Sequence, residues 1–234
     1  MITAASNSRI KRLVQLNQKS KLRRTEDVFL AEGVKMFLEA PREQLQEVYV
    51  SESFLEKCSC REHLEEVGYE VVSDSVFSKI SDTCTPQGVL CVLKQFHYNI
   101  EEMLRDKAPL FLLLENIQDP GNLGTMLRTG EGAGVSGIIM SRDTVDLYNP
   151  KVIRSTMGSI YRVPFYYADD FAAAVHQVQQ AGVSVYAAHL RGKNSYACQD
   201  YTKGTAFLIG NEGNGLREET AAVSYTHLRA HETK

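Results

Sequence analysis

The sequence predicts an α/β protein in which a mostly parallel sheet follows a smaller α/β domain. Short apolar runs alternate with segments of helical period along the chain, and this rhythm breaks once, between residues 96 and 108. Strands that alternate with helices form parallel sheets with helices on both faces. The sequence therefore indicates two α/β domains joined by a linker.

The first domain is expected over residues 1–96. Its apolar runs VFLA, VYV, YEVV and GVLCVL are short enough for strands, and helix-period segments such as SFLEKCSCREHLEEV separate them. The next segment, KQFHYNIEEMLRDKAP, has few β-branched residues and ends at Pro109. This favours a linker or a connecting helix over residues 97–108.

The second domain is expected over residues 109–222, where the alternation restarts. Its predicted strands are 110–114, 137–140, 162–166, 183–188 and 205–209. Its predicted helices are 122–133, 150–157 and 169–181. This order predicts the mostly parallel sheet.

Composition excludes membrane and secreted proteins. Hydrophobic residues make up 43% of the chain, enough for a core. No apolar run reaches the roughly 18 residues of a transmembrane helix. The N-terminus MITAASNSRIKRL lacks the apolar centre of a signal peptide, so we expect a cytoplasmic protein without membrane contact.

The cysteines predict neither disulfides nor a metal site. Their number is odd and their positions are scattered, as expected for reduced thiols: Cys58, Cys60, Cys84, Cys91 and Cys198. Cys58, Cys60 and His63 could supply three ligands, but no second pair at zinc spacing follows them. We therefore expect no metal.

Basic residues are concentrated at the N-terminus of an acidic chain. Residues 1–24 contain seven basic side chains and no acidic one, and the remainder holds 19 basic and 29 acidic residues, a net charge of −10. A basic arm on an acidic body favours docking of a polyanion on one face. The candidate contacts are Lys19, Lys21, Arg23 and Arg24. The alternative is a solvated amphipathic helix, because Ile10, Leu13 and Val14 have helical spacing with the charges on the other side.

The stretch LFLLLENIQDPGNLGTMLRTGEGAG, residues 110–134, places a polar turn directly after a predicted buried strand. Ligands of open α/β folds bind at the carboxyl ends of parallel strands, so this turn is a candidate site. Pro120 and Gly121 are expected to form the bend, and Asn122 to cap the next helix. Arg128 is expected two turns into that helix. The alternative is a plain capped helix with Arg128 on its surface.

Two further segments are candidate sites. In TAFLIGNEGNGL the predicted strand 205–209 runs into Gly210, Gly213 and Gly215, which lack side chains and allow the main chain to approach a ligand. This spacing is not the G-x-G-x-x-G of dinucleotide-binding folds, and the chain contains no P-loop motif. The segment NPKVIRSTMGSIYRVPF predicts a short basic helix, for which an ordinary surface helix is the alternative.

Three stretches, in this order, resemble the SpoU-type, TrmH-like RNA 2′-O-ribose methyltransferases of the SPOUT superfamily. They are IQDPGNLGTMLRTGEGAG (117–134), NPKVIRSTMGSIYRVP (149–164) and FLIGNEGNGL (207–216). The N-terminal stretch TAASNSRIKRLVQLNQKSKLRRTEDVFLAEGVKMFLEA resembles the RNA substrate-binding domain often found ahead of that catalytic domain, a small α/β module similar to certain ribosomal proteins.

This resemblance implies a fold, a reaction and partners. The fold would be an α/β-knot domain with a trefoil-knotted cofactor site, a rare exception to the rule against threaded chains. The reaction would be methyl transfer from S-adenosylmethionine to a ribose 2′-hydroxyl of ribosomal or transfer RNA, a group that DNA lacks. The enzyme would be a homodimer.

The resemblance also assigns roles to residues. It gives Asn122, Arg128 and Glu212 as catalytic residues, and we expect Glu212 to orient Arg128. An arginine is not deprotonated in proteins, so Arg128 is expected to stabilise a developing alkoxide or to grip a phosphate. Arg154 and Ser155 match a segment near the RNA. The residues that would hold the cofactor are Ile209, Gly210, Asn211, Gly213 and Leu216.

The C-terminal segment departs from this family. Residues 217–234 show no match to its last motif, and SYTHLRAHETK resembles the tail of a truncated reading frame. We therefore expect residues 223–234 to be a non-native tail and the knot domain to be incomplete. Two alternatives stand beside the methyltransferase: an RNA-binding protein that has lost catalysis, and an unrelated nucleotide-dependent α/β enzyme that uses LIGNEGNG.

Overall fold

A computed structural model describes residues 1–189, 192, 194–223 and 226–229 of the chain, which forms two compact units. The N-terminal unit comprises Met1–Phe96 together with Asp146–Tyr161. The C-terminal unit comprises His97–Val145 and the chain from Arg162 onward. The sequence predicts a break after residue 96, but segment 146–161 belongs to the N-terminal unit although it follows the linker.

The strands are numbered along the chain. Those of the N-terminal unit are β1 (Val28–Glu32), β2 (Leu45–Ser51), β3 (Glu70–Val72) and β4 (Val89–Lys94). Those of the C-terminal unit are β5 (Leu110–Leu114), β6 (Gly137–Ser141), β7 (Phe165–Ala168), β8 (Ser184–His189), β9 (Thr205–Ile209) and β10 (Thr226–Arg229).

The helices are numbered in the same way. The helices that precede β4 in the chain are α1 (Ser8–Gln18), α2 (Ser20–Glu26), α3 (Val34–Leu38), α4 (Glu52–Lys57), α5 (Arg61–Val67) and α6 (Asp74–Ile80). The others are α7 (Ile100–Met103), α8 (Pro120–Ala133), α9 (Pro150–Thr156), α10 (Phe171–Gln180) and α11 (Glu218–Val223), of which α9 is part of the N-terminal unit. Short 3-10 helices lie at Ser159–Tyr161 and Tyr196–Cys198.

The N-terminal unit is built on a mixed sheet with the strand order β1-β4-β2-β3. β4 pairs antiparallel with β1 and β2, and β3 pairs parallel with β2. One face of this sheet packs against α1 and α6, which bury Ile10, Leu13, Leu16, Val76, Phe77 and Ile80. The apolar face predicted for α1 is therefore confirmed, and the Asn7 side chain caps this helix by accepting a hydrogen bond from the Arg9 amide at 2.9 Å.

Segment 146–161 is held within the N-terminal unit by aromatic side chains. The Tyr148 ring lies 4.8 Å from the Phe29 ring of β1, and the Tyr161 hydroxyl donates to the Met36 carbonyl oxygen at 3.0 Å. The segment also buries Val152, Ile153 and Ile160. Apolar burial of this kind explains why the segment leaves the domain in which its sequence position would place it.

The C-terminal unit is built on a sheet with the order β10-β8-β9-β5-β6-β7, in which the described strands all pair in parallel. The α/β class with a mostly parallel sheet is therefore confirmed. Its core includes Phe111, Leu113, Ile139, Val175, Val178, Val185 and Leu208, each at most 1% exposed.

Several element boundaries differ from the prediction. α8 begins at Pro120 and β7 begins at Phe165, where the sequence predicts starts at 122 and 162. α9 ends at Thr156 because Met157 adopts a left-handed φ of 52°. Of the predicted tail 223–234, Thr226–Arg229 form the edge strand β10, and most of the other positions lie outside the described residues.

The described part of the chain holds no helix that is both long enough and apolar enough to cross a membrane. Among the same residues, no three His, Cys, Asp or Glu side chains come together as metal ligands. All five cysteines are free thiols, and burial raises the pKa of the Cys91 thiol.

Candidate active site

Three loops of the C-terminal unit follow the carboxyl ends of neighbouring parallel strands. β5 lies between β9 and β6, so the three carboxyl ends share one edge of the sheet. The chain leaves β5 for β6 and β7 on one side and returns through β8 and β9 on the other. The junction of β5 and β9 is therefore a topological switch point, where ligands of open α/β sheets bind.

The loop after β5, residues 115–119, is fixed to the end of β6 and to the loop after it. The Asn116 amide donates to the Ser141 hydroxyl at 2.8 Å, and the Ile117 amide donates to the Thr144 hydroxyl at 3.3 Å. Asn116 adopts a left-handed φ of 55°, which asparagine tolerates better than most residues. This loop is called the β5 loop below.

The helix that follows the β5 loop is capped by Asp119 and not by Asn122, so the predicted cap was wrong. The Asp119 carboxylate accepts from the Asn122 amide at 2.7 Å, and Pro120 occupies the start of the helix. Proline suits the first helical position because it has no amide to satisfy, and aspartate is a strong N-cap. The Asn122 side chain is thereby left available for another contact.

The loop after β9, residues 210–217, is a turn closed on itself and is called the β9 loop. The main chains of Asn211 and Gly215 exchange hydrogen bonds of 3.0 and 2.9 Å. The Asn211 carboxamide oxygen accepts from the Gly213 amide at 3.0 Å. A Cβ on Gly210 would lie only 2.3 Å from the Gly215 carbonyl carbon, so the close approach requires glycine. The absence of a side chain at Gly210 therefore allows the Gly215 main chain to approach closely.

The β5 and β9 loops are joined through Glu212. Its carboxylate accepts three hydrogen bonds: from the amide of Gln118 at 3.2 Å, the amide of Asp119 at 3.1 Å and the carboxamide of Asn122 at 3.2 Å. A second link comes from the Asn211 carboxamide, which donates to the Asn116 carbonyl oxygen at 2.8 Å. These contacts are called the Glu212 junction.

The Glu212 junction favours the ionised carboxylate. Burial by itself would raise the pKa of Glu212, but the main-chain and side-chain N–H donors outweigh it and lower the pKa below its ordinary value. Within the described residues, these donors come from the β5 loop, the first turn of α8 and the β9 loop itself. The expectation that Glu212 orients Arg128 was therefore wrong, because Glu212 binds the start of α8.

Glu115 is a buried carboxylate that sequence reasoning missed. It follows β5 directly and is 1% exposed. It accepts from the Arg217 amide at 2.8 Å and from the Thr220 hydroxyl, so it ties the end of the β9 loop and α11 to the β5 loop. A carboxylate can be buried only with such donors. The signal in the sequence is an acidic residue that immediately follows the apolar run LFLLL.

Asp143, in the loop after β6, was also missed. It accepts from the Ser141 hydroxyl at 2.6 Å and forms an ion pair with the Arg217 guanidinium. Burial would raise the pKa of Asp143, but the Ser141 hydrogen bond and the Arg217 charge outweigh it and lower the pKa. Asp143 and Arg217 thus connect the loops after β6 and β9.

Arg128 lies two turns into α8, as predicted, with an exposed side chain. No ion pair or hydrogen bond occupies its guanidinium among the residues that the structure describes. Two other arginines of the same unit are paired, because Arg142 and Arg162 bind Asp169 and Glu131. Arg128 is therefore available to an anion from outside the chain.

The basic N-terminal residues have two different environments. Lys19, Lys21 and Arg24 are exposed, as an RNA contact requires. Arg23 is only 3% exposed and binds Asp146 at 2.6 Å within the N-terminal unit. A buried, paired guanidinium cannot reach a ligand, so we assign Arg23 a structural role and withdraw it from the candidate RNA contacts.

Arg154 and Ser155 lie on α9 in the N-terminal unit. The exposed Arg154 guanidinium donates to the Asp82 carboxylate at 3.2 Å. The Ser155 hydroxyl donates to the Lys151 carbonyl oxygen at 2.9 Å, a bond within the helix that leaves its oxygen able to accept.

The candidate cofactor residues, in β9 and the β9 loop, differ in their exposure to solvent. Ile209 and Gly210 are half-buried, and Leu216 is buried in the core of the C-terminal unit. Gly213 is exposed, and a Cβ placed on it would meet only the Asn211 carboxamide oxygen at 3.6 Å. The space beside Gly213 is therefore open to a ligand from outside.

Comparisons with known proteins match both parts of the chain. Residues 109–229 match the profile of the SpoU rRNA Methylase family, and residues 7–91 match the MRM3-like substrate binding domain. The 23S rRNA (guanosine(2553)-2′-O)-methyltransferase RlmP of Bacillus subtilis is 31% identical over 230 residues, which cover 97% of this chain and 88% of the relative.

Solved structures of rRNA methyltransferases are similar to this chain over nearly its whole length. An rRNA methyltransferase from Sinorhizobium meliloti is similar with a TM-score of 0.85 and 29% identity, covering 99% of this chain and 89% of the other. The AdoMet-bound structure of the rRNA methyltransferase from that organism is similar with a TM-score of 0.83 and 28% identity, covering 100% and 89%.

Proposed function

This chain belongs to the SpoU rRNA Methylase family, and we propose that it transfers a methyl group from S-adenosylmethionine to a ribose 2′-hydroxyl of ribosomal RNA. The Bacillus subtilis relative is named for 2′-O-methylation of 23S rRNA, and the Sinorhizobium meliloti relative is described with AdoMet bound. Family membership excludes the unrelated nucleotide-dependent enzyme. Ribosomal RNA is therefore the first substrate to test.

The Glu212 junction is the observation in this structure that carries the proposal. It brings together the first and the last of the three motif stretches, at the switch point of the parallel sheet. A site of this kind is rigid before any ligand arrives, because each loop is held by side chains of another loop. Such preorganisation is what a group-transfer reaction requires, since the reacting atoms must be aligned.

The residues of the β9 loop fit S-adenosylmethionine. Ile209 offers apolar contact, and the exposed Gly213 leaves room for a ligand beside the turn. The residues that would hold the cofactor are Ile209, Gly210, Asn211, Gly213 and Leu216. When bound, S-adenosylmethionine supplies an electrophilic methyl group on a sulfonium.

Arg128 is proposed to act on the ribose. A ribose hydroxyl is a poor nucleophile, and negative charge develops on its oxygen as the proton leaves. The exposed guanidinium of Arg128, without a carboxylate partner in the described chain, can stabilise that charge or grip the adjacent phosphate. It stays protonated throughout, so it does not serve as the base.

Asn122 and Glu212 are proposed to shape the site around the reacting groups. Glu212 fixes the N–H side of the Asn122 carboxamide and thereby orients its oxygen. That oxygen can accept a hydrogen bond from the substrate. Because Glu212 also holds the amides of Gln118 and Asp119, its role is to position α8 relative to the β9 loop.

The remaining proposals concern partners and location. We propose that RNA is held by the N-terminal unit, whose candidate contacts are Lys19, Lys21, Arg24, Arg154 and Ser155. A homodimer follows from the resemblance to SpoU-type enzymes. A cytoplasmic location suits the modification of bacterial-type ribosomal RNA.

The proposal is tested by methyl transfer to RNA. The purified chain is incubated with S-adenosylmethionine labelled in its methyl group and with 23S rRNA transcribed in vitro, beside DNA of the same sequence. We expect label in the RNA only, at a linkage that resists alkaline hydrolysis because a methylated 2′-oxygen cannot attack the neighbouring phosphate. Label on a base, or an absence of label, would overturn the proposed reaction.

A further inference from the structure

We propose that Glu115 is a positioning residue for S-adenosylmethionine, because it fixes both ends of the β9 loop and the affinity for the cofactor depends on that fixation. Glu115 is the first residue after β5, and its side chain is buried. This inference rests on the proposed function, because the β9 loop is taken as the loop that holds the cofactor.

Glu115 contacts the chain where it enters the β9 loop and where it leaves that loop. The Glu115 amide donates to the carbonyl oxygen of Ile209, the last residue of β9, at 2.9 Å. The Glu115 carboxylate accepts from the amide of Arg217, the last residue of the loop, at 2.8 Å. One residue thus binds both ends of the segment that contains the candidate cofactor residues.

Both carboxylate oxygens of Glu115 accept a hydrogen bond inside the protein. One accepts from the Arg217 amide, and the other accepts from the hydroxyl of Thr220, a residue of α11 that is 2% exposed. Across the part of the chain that the structure describes, Glu115 is the one Asp or Glu that is buried. Hydrogen bonds away from water are electrostatically stronger, so these two contacts fix the end of the loop firmly.

The other contacts that hold the β9 loop involve exposed side chains. The Arg217 guanidinium pairs with Asp143, and these side chains are 48% and 40% exposed. Exposed ion pairs contribute little because water and salt screen them. Glu212, which holds the loop near its start, is also exposed. We therefore expect Glu115 to determine the position of the last residues of the loop, Leu216 among them.

The closed shape of the β9 loop links its end to the proposed cofactor contacts. Asn211 and Gly215 exchange main-chain hydrogen bonds, and the close approach at Gly210 packs the start of the loop against its end. A turn of fixed shape moves as one body, so a displacement at Arg217 also moves the residues that would hold the cofactor. Binding groups must be held close to their productive geometry by the residues behind them. Loss of the Glu115 carboxylate should therefore weaken cofactor binding, although Glu115 is not among the candidate contacts.

The positioning role is tested with two substitutions of similar size in the full chain. Glu115→Leu fills a similar volume but accepts no hydrogen bond, so it releases the Arg217 amide. Glu115→Gln keeps an oxygen for that amide, and its NH₂ group can donate to the Thr220 hydroxyl. Thr220→Val is the control that removes only the bond to α11. S-adenosylmethionine is titrated calorimetrically into each folded variant, and hydrogen–deuterium exchange of the β9 loop is measured without the cofactor.

We expect Glu115→Leu to weaken S-adenosylmethionine binding about tenfold, while Glu115→Gln and Thr220→Val stay within about threefold of the unaltered chain. Exchange should become faster in the β9 loop of Glu115→Leu and stay unchanged in α10. If Glu115 only stabilises the fold, Glu115→Leu lowers the melting temperature, but the folded variant binds the cofactor with unaltered affinity. That result would overturn the positioning role.

Glu115→Asp decides the question if Glu115→Leu does not fold. It keeps a carboxylate but shortens the side chain by one methylene, which withdraws the acceptor from the Arg217 amide. Weaker cofactor binding by the folded Glu115→Asp variant supports the positioning role, and unaltered binding overturns it. An unaltered chain that binds no S-adenosylmethionine overturns the proposed function, whereas an unaltered chain that binds it no more tightly than these variants overturns the positioning role alone.

Discussion

The Glu212 junction of the C-terminal unit and the candidate RNA contacts of the N-terminal unit use charge in opposite ways. At the junction, the Glu212 carboxylate is held by three N–H groups of two other elements, and the loops are tight turns. Among the candidate RNA contacts, Lys19, Lys21 and Arg24 are exposed, whereas Arg23 of the same helix is buried and binds Asp146, whose side chain is 29% exposed. The proposed cofactor site is therefore built by main-chain geometry, whereas the proposed RNA contacts depend on exposed charge.

The largest expected effect comes from removing the carboxylate partner of the buried Arg23 guanidinium. Asp146→Ala leaves the Arg23 guanidinium buried with carbonyl partners alone, so we expect the free energy of unfolding to fall by about 3 kcal/mol. Urea denaturation measures it. The control is Asp82→Ala, whose exposed pair with Arg154 should contribute less than about 1 kcal/mol. Equal losses in the two variants would show that the Arg23–Asp146 pair contributes no more than an exposed ion pair.

The next effect concerns the reaction itself. Arg128→Ala should lower kcat by about 10²- to 10³-fold, because it removes a preorganised cation from the developing charge. The melting temperature should change little, since the side chain is exposed and unpaired in the described chain. The matched control is Arg105→Ala, an exposed arginine of the same unit. Retained turnover in Arg128→Ala would refute its catalytic role.

A smaller effect is expected from loosening the junction without removing a side chain. Glu212→Gln keeps the shape but loses the charge that accepts the three N–H donors, and hydrogen bonds to charged groups are the stronger ones. We expect S-adenosylmethionine to bind about tenfold more weakly in a calorimetric titration, a loss of about 1.4 kcal/mol. Glu219→Gln, an exposed carboxylate of α11, serves as the control for lost charge. Equal affinities in both variants would show that Glu212 does not contribute to binding of the cofactor.

The smallest effect is a loss of stability in acid. Glu212 and Asp143 both have lowered pKa values in the folded chain. Their stabilisation is therefore complete above the ordinary pKa values of about 4 and is lost as the pH falls through the lower folded values. Melting temperatures measured from about pH 7 down to pH 3 should fall less steeply for Glu212→Gln with Asp143→Asn than for the unaltered chain. Parallel curves would contradict the assignment.

Much of the fold follows from the sequence because the signals are local. The apolar run 110–114 and the run 205–209 form β5 and β9 with the predicted bounds. The start of α8 was misplaced because Asp119 and Asn122 are both good caps, and Pro120 favours the earlier start. The local sequence is compatible with either cap, and the proline at the first helical position favours Asp119.

What the sequence did not reveal depends on distant contacts. Glu115 is followed 102 positions later by its partner Arg217, and Arg23 lies 123 positions before Asp146. No local pattern shows that such residues meet. The sequence therefore indicated an ordinary loop residue at Glu115 and a surface cation at Arg23. The same reason explains why the sequence did not show that segment 146–161, which lies within the family match over residues 109–229, packs in the N-terminal unit.

The position of the cofactor site is tested most directly by hydrogen–deuterium exchange of the unaltered chain with and without S-adenosylmethionine. If the site lies at the carboxyl edge of β5 and β9, the cofactor should slow exchange in the β5 loop and in the β9 loop together, because the Glu212 junction makes them one structure. Residues 19–24 of the N-terminal unit, which include the candidate RNA contacts, should exchange at the same rate in both samples. Protection confined to other segments, or none in either loop, would contradict the account.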